Sequence, residues 1–224
     1  MLERNLSLGI DSAEAFYTLS TFFLQSDEYR KKNKTDAEFI VDLYNIFLQR
    51  IPDPDEVTVW ENKLTNNCPR DILINSFAFC DEFIRTTENI TGTDITRPEN
   101  RLLNNFYRGF FARFPDSGGY YSWLAQIRSA QCKGASAVCS VAYEISSAFI
   151  SSQEYMGRNR NNAEFVADLY NAILQRAADP EGFQQWLMHL NRGMCREQAL
   201  KYFIECDEFK NRRGHPGAAN PDFR

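Results

Sequence analysis

Apolar residues recur along the chain at helical spacing, in segments separated by short polar turns. One type of segment, A, carries apolar side chains at positions i, i+4 and i+8, and a second type, B, carries them at i, i+3 and i+7. Both spacings place the apolar side chains on one face of an α-helix. The A positions are Phe39, Leu43 and Phe47; Leu102, Phe106 and Phe110; and Phe165, Leu169 and Ile173. The B positions are Val57, Trp60 and Leu64; Tyr120, Trp123 and Ile127; and Phe183, Trp186 and Leu190.

The segments repeat with a period of 63 residues. Residues 36–50 recur as residues 162–176, with 10 of 15 positions identical. A third segment type, C, ends in Cys-Asp-Glu-Phe at 80–83 and at 206–209, and related endings occur at 26–29 and 151–155. The residues that recur every 63 positions are Tyr44, Tyr107 and Tyr170; Arg50, Arg113 and Arg176; Asp53, Asp116 and Asp179; and Trp60, Trp123 and Trp186.

The repeats predict an all-α fold of tandem three-helix units that bury their apolar faces against one another, with about ten helices in total. A lone C-type helix near residues 13–29 precedes three A–B–C units. The Thr-rich stretch 84–100 breaks the period and is predicted to link two similar halves. We therefore expect an N-terminal helical half over 1–90, a C-terminal helical half over 91–213 and a flexible tail over 214–224.

The turn between each A and B segment has the composition of a helix start. Arg is followed three residues later by Asp, and Pro or Ser comes directly after the Asp. We predict that the Asp caps helix B and pairs with the preceding Arg. The acidic cluster of Asp53, Asp55 and Glu56 also suggests calcium binding, but unit 2 has only Asp116 at this place, which favours capping.

Composition and charge narrow the function classes. Hydrophobic residues make up 43% and charged residues 25% of the chain, as in ordinary globular proteins. A net charge of −5 argues against a nucleic-acid partner, which usually meets a basic face. No apolar run approaches the roughly 20 residues that span a bilayer, and the first residues lack the apolar core of a signal peptide.

The sequence predicts no enzyme, no metal site and no cofactor. It contains two histidines and lacks the GxSxG, Gly-rich phosphate-loop, HExxH and CxxC motifs. Few histidines are therefore available to act as the base that activates a nucleophile. The three tryptophans lie in the apolar stripes of the B helices, which predicts core packing rather than ligand stacking.

Four cysteines are candidates for disulfides or modification, because they lie at B–C joints or in an insertion of unit 2: Cys68, Cys132, Cys139 and Cys195. Pairing Cys68 with Cys80 would span about 18 Å of predicted helix, beyond the reach of a disulfide. Any bridges must therefore join different segments, or link Cys132 to Cys139. Cys80 and Cys206 stand where Ser26 and Ser152 occur, which predicts small residues that face the core.

Unit 2 contains more aromatic rings than one helical face can bury. Arg108, Phe111, Phe114, Tyr120 and Tyr121 lie in or just after this ring-rich run. Aromatic and arginine side chains are enriched in protein interfaces. The sequence therefore predicts a partner-binding patch formed by these five residues.

Three strings together resemble a bacterial repeat domain of unknown function that is distantly similar to phycobilisome linker domains. They are Phe23-Leu24-Gln25-Ser26-Asp27-Glu28-Tyr29, Phe165-Val166-Ala167-Asp168-Leu169-Tyr170, and Asp179-Pro180-Glu181-Gly182 with Trp186. The resemblance covers about residues 13–212 and implies an all-helical fold, typical of large secreted or surface proteins. It implies no agreed activity. The linker similarity adds thioether attachment of a bilin to a cysteine as an alternative.

We expect a non-enzymatic structural or assembly module that binds or spaces other proteins in a larger extracellular or cell-surface assembly. One alternative is a phycobilisome-type linker polypeptide in a thylakoid-associated antenna complex, with or without bilins on cysteines. A second alternative is a glycan- or calcium-dependent surface adhesion module.

Overall fold

A computed structural model of the protein describes residues 12–64, 69–91 and 98–212. These residues form fourteen α-helices and two π-helical turns, and no strand occurs among them. The prediction of an all-α fold is confirmed. The first half contains α1 (Ser12–Leu24), α2 (Asp27–Arg30), α3 (Asp36–Leu43) with π1 (Tyr44–Leu48), α4 (Pro54–Leu64), α5 (Arg70–Ala78) and α6 (Asp81–Thr91). The second half contains α7 (Pro98–Phe111), α8 (Ser117–Gln131), α9 (Ala135–Ile150), α10 (Gln153–Gly157), α11 (Asn162–Leu169) with π2 (Tyr170–Leu174), α12 (Pro180–Asn191), α13 (Arg196–Glu205) and α14 (Asp207–Arg212).

The predicted number of helices, about ten, was wrong because every C segment is broken into two helices. The A helices are α3, α7 and α11, the B helices are α4, α8 and α12, and the C pairs are α1–α2, α5–α6, α9–α10 and α13–α14. At each break a Ser or Cys side chain accepts a hydrogen bond from the backbone N–H three residues on: Tyr29 to Ser26 (3.1 Å), Phe83 to Cys80 (3.4 Å), Tyr155 to Ser152 (3.1 Å) and Phe209 to Cys206 (3.4 Å). The recurring small residue is therefore a helix cap.

Each A helix ends at a residue with left-handed backbone. Gln49, Ala112 and Gln175, which are 63 positions apart, have φ of 55°, 52° and 50°. In units 1 and 3 the last turn widens to a π-helix before this residue. The left-handed residue reverses the chain direction and leads it into the turn before helix B.

The predicted Asp caps are confirmed in units 2 and 3. Asp116 accepts the backbone N–H of Gly119 at 2.8 Å, and Asp179 accepts that of Gly182 at 2.7 Å. Arg176 also pairs with Asp179 at 3.3 Å, as the spacing predicted. Both helices therefore start on a carboxylate that satisfies a first-turn donor.

Unit 1 builds the same turn with a different carboxylate. Glu56 stands where units 2 and 3 have glycine, and it accepts the backbone N–H of Asp53 at 2.9 Å. Arg50 donates to both oxygens of Glu56, at 2.8 and 2.9 Å. The ion pair predicted between Arg50 and Asp53 is thus replaced by one with Glu56.

The tryptophans pack against the core, as predicted. Trp60 is buried in the core of the first half, where its indole N–H donates to the Tyr44 hydroxyl at 3.0 Å. Trp123 and Trp186 are partly buried against the core of the second half. The indoles therefore tie each B helix to its neighbours.

The halves meet where α5 packs against α11 and where α1 lies close to the second half. Ala15 and Ile72, from α1 and α5, belong to the apolar core of the second half. Within that half α7 crosses π2 so closely that a Cβ atom on Gly109 would lie 2.4 Å from the Cβ of Ala172. Only glycine fits at this crossing.

The expected linker over 84–100 is helical at both ends, which corrects the prediction. Helix α6 continues to Thr91, and Thr87 is buried where α6 packs on α1. Helix α7 begins at Pro98. Residues 92–97, Cys68 and the predicted tail 214–224 lie outside the described residues.

Candidate functional site

Arg108 does not lie in a surface patch: it is 1% exposed and belongs to a polar network between the halves. Its Nε donates to Asn171 Oδ1 at 3.0 Å, and its Nη1 donates to Asn105 Oδ1 at 2.7 Å and pairs with the Glu14 carboxylate of α1. The guanidinium stacks 4.5 Å from the centre of the Tyr17 ring. The predicted partner-binding role of Arg108 therefore fails, because intramolecular acceptors surround the charge.

The network continues into α5. The Asn171 amide donates to Asn75 Oδ1 at 2.7 Å and to the Tyr17 hydroxyl at 2.6 Å. Tyr17 donates in turn to Asn75 Oδ1 at 3.0 Å, and burial raises the pKa of Tyr17 well above its usual range. Asn75 donates to the Ala167 carbonyl at 3.2 Å. These bonds satisfy polar groups that the contact between the halves removes from water.

A second buried cluster lies beside this network. Arg160 donates to both oxygens of Asp168, at 2.9 and 2.7 Å, and Tyr155 donates to the same carboxylate at 2.8 Å. Asp71 of α5 lies 3.4 Å from Arg160. Burial raises the pKa of Tyr155. Arg160 thus pairs with carboxylates from two segments, Asp71 of α5 and Asp168 of α11, and the arrangement joins these segments.

The other four residues of the predicted patch have unequal exposure. Tyr120 is fully buried, and this part of the prediction is also wrong, because the ring lies on the inner face of α8. Phe111 and Phe114 are partly buried against the core, and Phe111 lies 4.7 Å from the Phe149 ring. Tyr121 is exposed. The five residues therefore do not form one surface.

The described cysteines have different environments. Cys132 and Cys195 are exposed free thiols, so the bridge suggested between Cys132 and Cys139 is not formed. Cys139 is half-buried. Cys80 is fully buried, and burial raises the pKa of its thiol to about 11.

A small cavity lies in the first half of the described fold. A cavity of about 80 Å³ opens between α2, α3 and α5, lined by Tyr29, Lys34 and Arg70 among others. Ligand sites usually enclose about 300–1,000 Å³, so this cavity suits a few water molecules. No group of three His, Cys, Asp or Glu side chains in the described ranges could hold a metal ion.

The outer face of α1 is apolar and exposed. Phe16, Leu19, Phe22 and Phe23 are 42–60% exposed, and they follow one another along a helix of 13 residues. The opposite side of α1 is buried and includes Tyr17 and Leu24. The sequence predicted α1 as a lone C-type helix, but the exposure of its apolar side chains was not predicted. The signal was present, because residues 1–11 do not contain the A–B pattern that precedes each of the other C segments.

The described residues define an all-helical repeat protein. Comparison with known families gives a match to Domain of unknown function (DUF4214) at residues 20–87 and again at 146–213. The two matches cover more than half of the chain, so the chain belongs to this family, and the two copies confirm the two similar halves. No curated protein and no solved structure matches the chain. Across the described residues, every helix is too short or too polar to cross a membrane.

Proposed function

We propose that the chain is a non-enzymatic structural module that binds or spaces other proteins in a larger extracellular or cell-surface assembly. The main support for the proposal is the exposure of four large apolar side chains on the outer face of α1. Contiguous apolar surface of this kind marks protein interaction sites in soluble proteins. The phycobilisome-linker alternative, with bilins on cysteines, and the glycan- or calcium-dependent adhesion alternative stay predictions.

The buried polar networks between the halves support a spacing role. Buried networks join α1, α5, α7 and π2 through directed hydrogen bonds, and one of them includes the fully buried Arg108. Such networks favour one relative placement of the segments they connect. A module of this kind holds whatever binds to α1 at a fixed orientation to the second half.

Photo-crosslinking from α1 in cells that produce the protein tests the proposal. Phe22 is replaced by p-benzoylphenylalanine, and Tyr202 is replaced in a matched control. Tyr202 occupies the equivalent position on the last C helix and is about as exposed as Phe22. We expect adducts with one or a few discrete proteins from position 22 that are absent from position 202 and lost in Phe23→Glu. No adduct from position 22, or the same adducts from both positions, would contradict the proposal.

A further inference from the structure

Three of the four C segments are covered by the A–B helix pair that precedes them, through one repeated aromatic contact. A Phe of the C helix lies against the Tyr of the A helix and the Trp of the B helix. The ring centres are 4.9 and 5.1 Å apart for Phe77 with Tyr44 and Trp60, 4.9 and 6.3 Å for Phe149 with Tyr107 and Trp123, and 5.1 and 4.9 Å for Phe203 with Tyr170 and Trp186. These three Phe rings are at most 5% exposed.

Phe23 is the fourth member of this series, and its ring is 43% exposed. It contacts Tyr29 of its own C segment at 5.4 Å and has the Lys32 ammonium 5.8 Å from its centre. Leu19, one turn earlier, is also exposed, whereas the residues at its equivalent positions are buried: Leu73, Ile145 and Ala199. The face of α1 that meets water is therefore the face that an A–B pair covers elsewhere in the chain.

An ion pair repeats in the same way. The Arg that ends each A segment donates through Nε to a Glu in the second helix of the C segment: Arg50 to Glu82 (2.9 Å), Arg113 to Glu154 (2.5 Å) and Arg176 to Glu208 (2.7 Å). Glu28 occupies the fourth such position, in α2. It is exposed and makes no ion pair with any residue in the described ranges. In the first C segment the carboxylate of Glu28 therefore has no arginine partner in the described ranges, and Phe23 has no covering Tyr and Trp.

We infer that Leu19 and Phe23 on the outer face of α1, together with Glu28, form the docking site for an A–B helical hairpin of this repeat type carried by another protein. The hairpin would place a Tyr and a Trp on Phe23 and an Arg on Glu28. A second copy of this chain does not fit, because its three hairpins are already covered by Phe77, Phe149 and Phe203. The inference rests on the proposed binding function and specifies the partner.

The docking can be tested in a longer variant of this chain, in which a copy of one of its own A–B hairpins is placed before α1. Residues 98–134, which hold α7, α8 and the following turn, are duplicated directly before residue 9. The copy then lies at the same chain distance from Phe23 as α7–α8 lies from Phe149. The measurement is hydrogen exchange of the α1 amides in the extended and the original chain. We expect exchange to slow by about tenfold in the extended chain, because tethering gives the hairpin a high local concentration.

Matched variants of the extended chain separate docking from general stabilisation. Phe23→Glu should restore the fast exchange, and so should Arg113→Ala in the duplicated segment alone. Phe22→Glu should leave the slow exchange in place, because two of its three equivalents, Ala148 and Tyr202, remain exposed beside covered C helices. The third, Ser76, is buried on α5, the C helix that also packs against α11. The original chain should be monomeric, as measured by light scattering.

Three results would overturn the inference. They are α1 exchange that is unchanged by the added hairpin, α1 exchange in the original chain already as slow as that of α9, and self-association of the original chain that Phe23→Glu abolishes. If the hairpin does not dock while position 22 still crosslinks to discrete proteins, the binding function stands and only the hairpin partner is wrong. If crosslinking fails but the hairpin docks, the face can bind a hairpin and the proposed cellular function is contradicted.

Discussion

The two family copies share their internal contacts but differ in what surrounds them. In the first copy Tyr29 and Lys34 both donate to the Asp42 carboxylate, and in the second copy Tyr155 and Arg160 do the same with Asp168. The side chains of Lys34 and Asp42 are 28% and 21% exposed, whereas those of Arg160 and Asp168 are 1% and 4% exposed. One arrangement therefore stands at the surface, and its duplicate lies inside the molecule.

The difference comes from α5 of the first copy, which covers α11 of the second. Its Ile72 and Asn75 are buried at that contact, and its Asp71 reaches Arg160. In the second copy the equivalent positions of α13 hold Gln198 and Lys201, which are exposed. The residues that both copies share thus make the same contacts within each copy. A few residues that differ between the copies, such as Ile72 and Asn75, determine which copy covers the other.

Removing the guanidinium between the halves should have the largest effect. Arg108→Ala removes the cation that pairs with the Glu14 carboxylate and the donor to Asn171 Oδ1 in a buried site, so we expect the free energy of unfolding to fall by about 3–5 kcal/mol. Asn45→Ala is the matched control, because Asn45 is the exposed equivalent in unit 1 and should change stability by less than about 0.5 kcal/mol. Urea denaturation of both variants measures the two effects. Similar losses in both would refute the assignment of the network to the contact between the halves.

The cations at equivalent positions of the two copies, Arg160 and Lys34, provide the next comparison. Arg160→Met leaves the buried Asp168 without its cation, and we expect a loss of about 3 kcal/mol. Lys34→Met removes the corresponding surface ion pair and should cost less than about 1 kcal/mol. The two midpoints in urea should therefore move by clearly different amounts. Equal shifts would mean that the environment of the copy does not set the strength of the pair.

The sequence predicted the contacts that repeat. The 63-residue period of Tyr44, Arg50 and Trp60 with their equivalents correctly indicated the A and B helices and the core position of the indoles. Asp116 and Asp179 are caps, as their neighbours suggested. Such features depend on residues close together in the chain, so a single sequence contains the information needed to predict them.

Contacts between units could not be predicted in the same way. Arg108 was predicted in a surface patch because it lies in a run with more aromatic rings than one helical face can bury, and because arginine and aromatic residues are enriched in interfaces. Its partners Asn171 and Glu14 are 63 and 94 residues away. Nothing local to Arg108 distinguishes it from the exposed Asn45 at the same repeat position. The breaks in the C segments were missed for another reason, since the recurring Ser or Cys was predicted to be a small residue that faces the core and not a helix cap.

Acid should weaken the first A–B turn. The Arg50 guanidinium and the Asp53 backbone N–H lower the pKa of Glu56 to about 2 from an ordinary value of 4.5. A carboxyl whose pKa is lower in the folded state stabilises the fold above its unfolded pKa, and this contribution is lost as the pH falls. We expect Glu56→Gln to cost about 1 kcal/mol near pH 7, and the difference from wild type to disappear between about pH 5 and pH 2. Urea titrations across this range measure it. A difference that persists at pH 2 would assign the effect to packing instead of charge.

The smallest expected effect concerns a feature that both copies share. Gln49 is exposed and has left-handed backbone, with φ of 55°, which is unfavourable for a residue with a Cβ atom. Gln49→Gly should therefore raise the free energy of unfolding by about 0.5 kcal/mol, since the strain it relieves exceeds the entropy that glycine adds to the unfolded chain. Gln184→Gly, at an exposed position inside α12, should lower it by about 0.5–1 kcal/mol. Opposite signs in thermal unfolding would confirm that the left-handed residue is a strained joint common to the repeats. Loss of stability in both variants would instead show that the Gln49 side chain contributes more than its backbone costs.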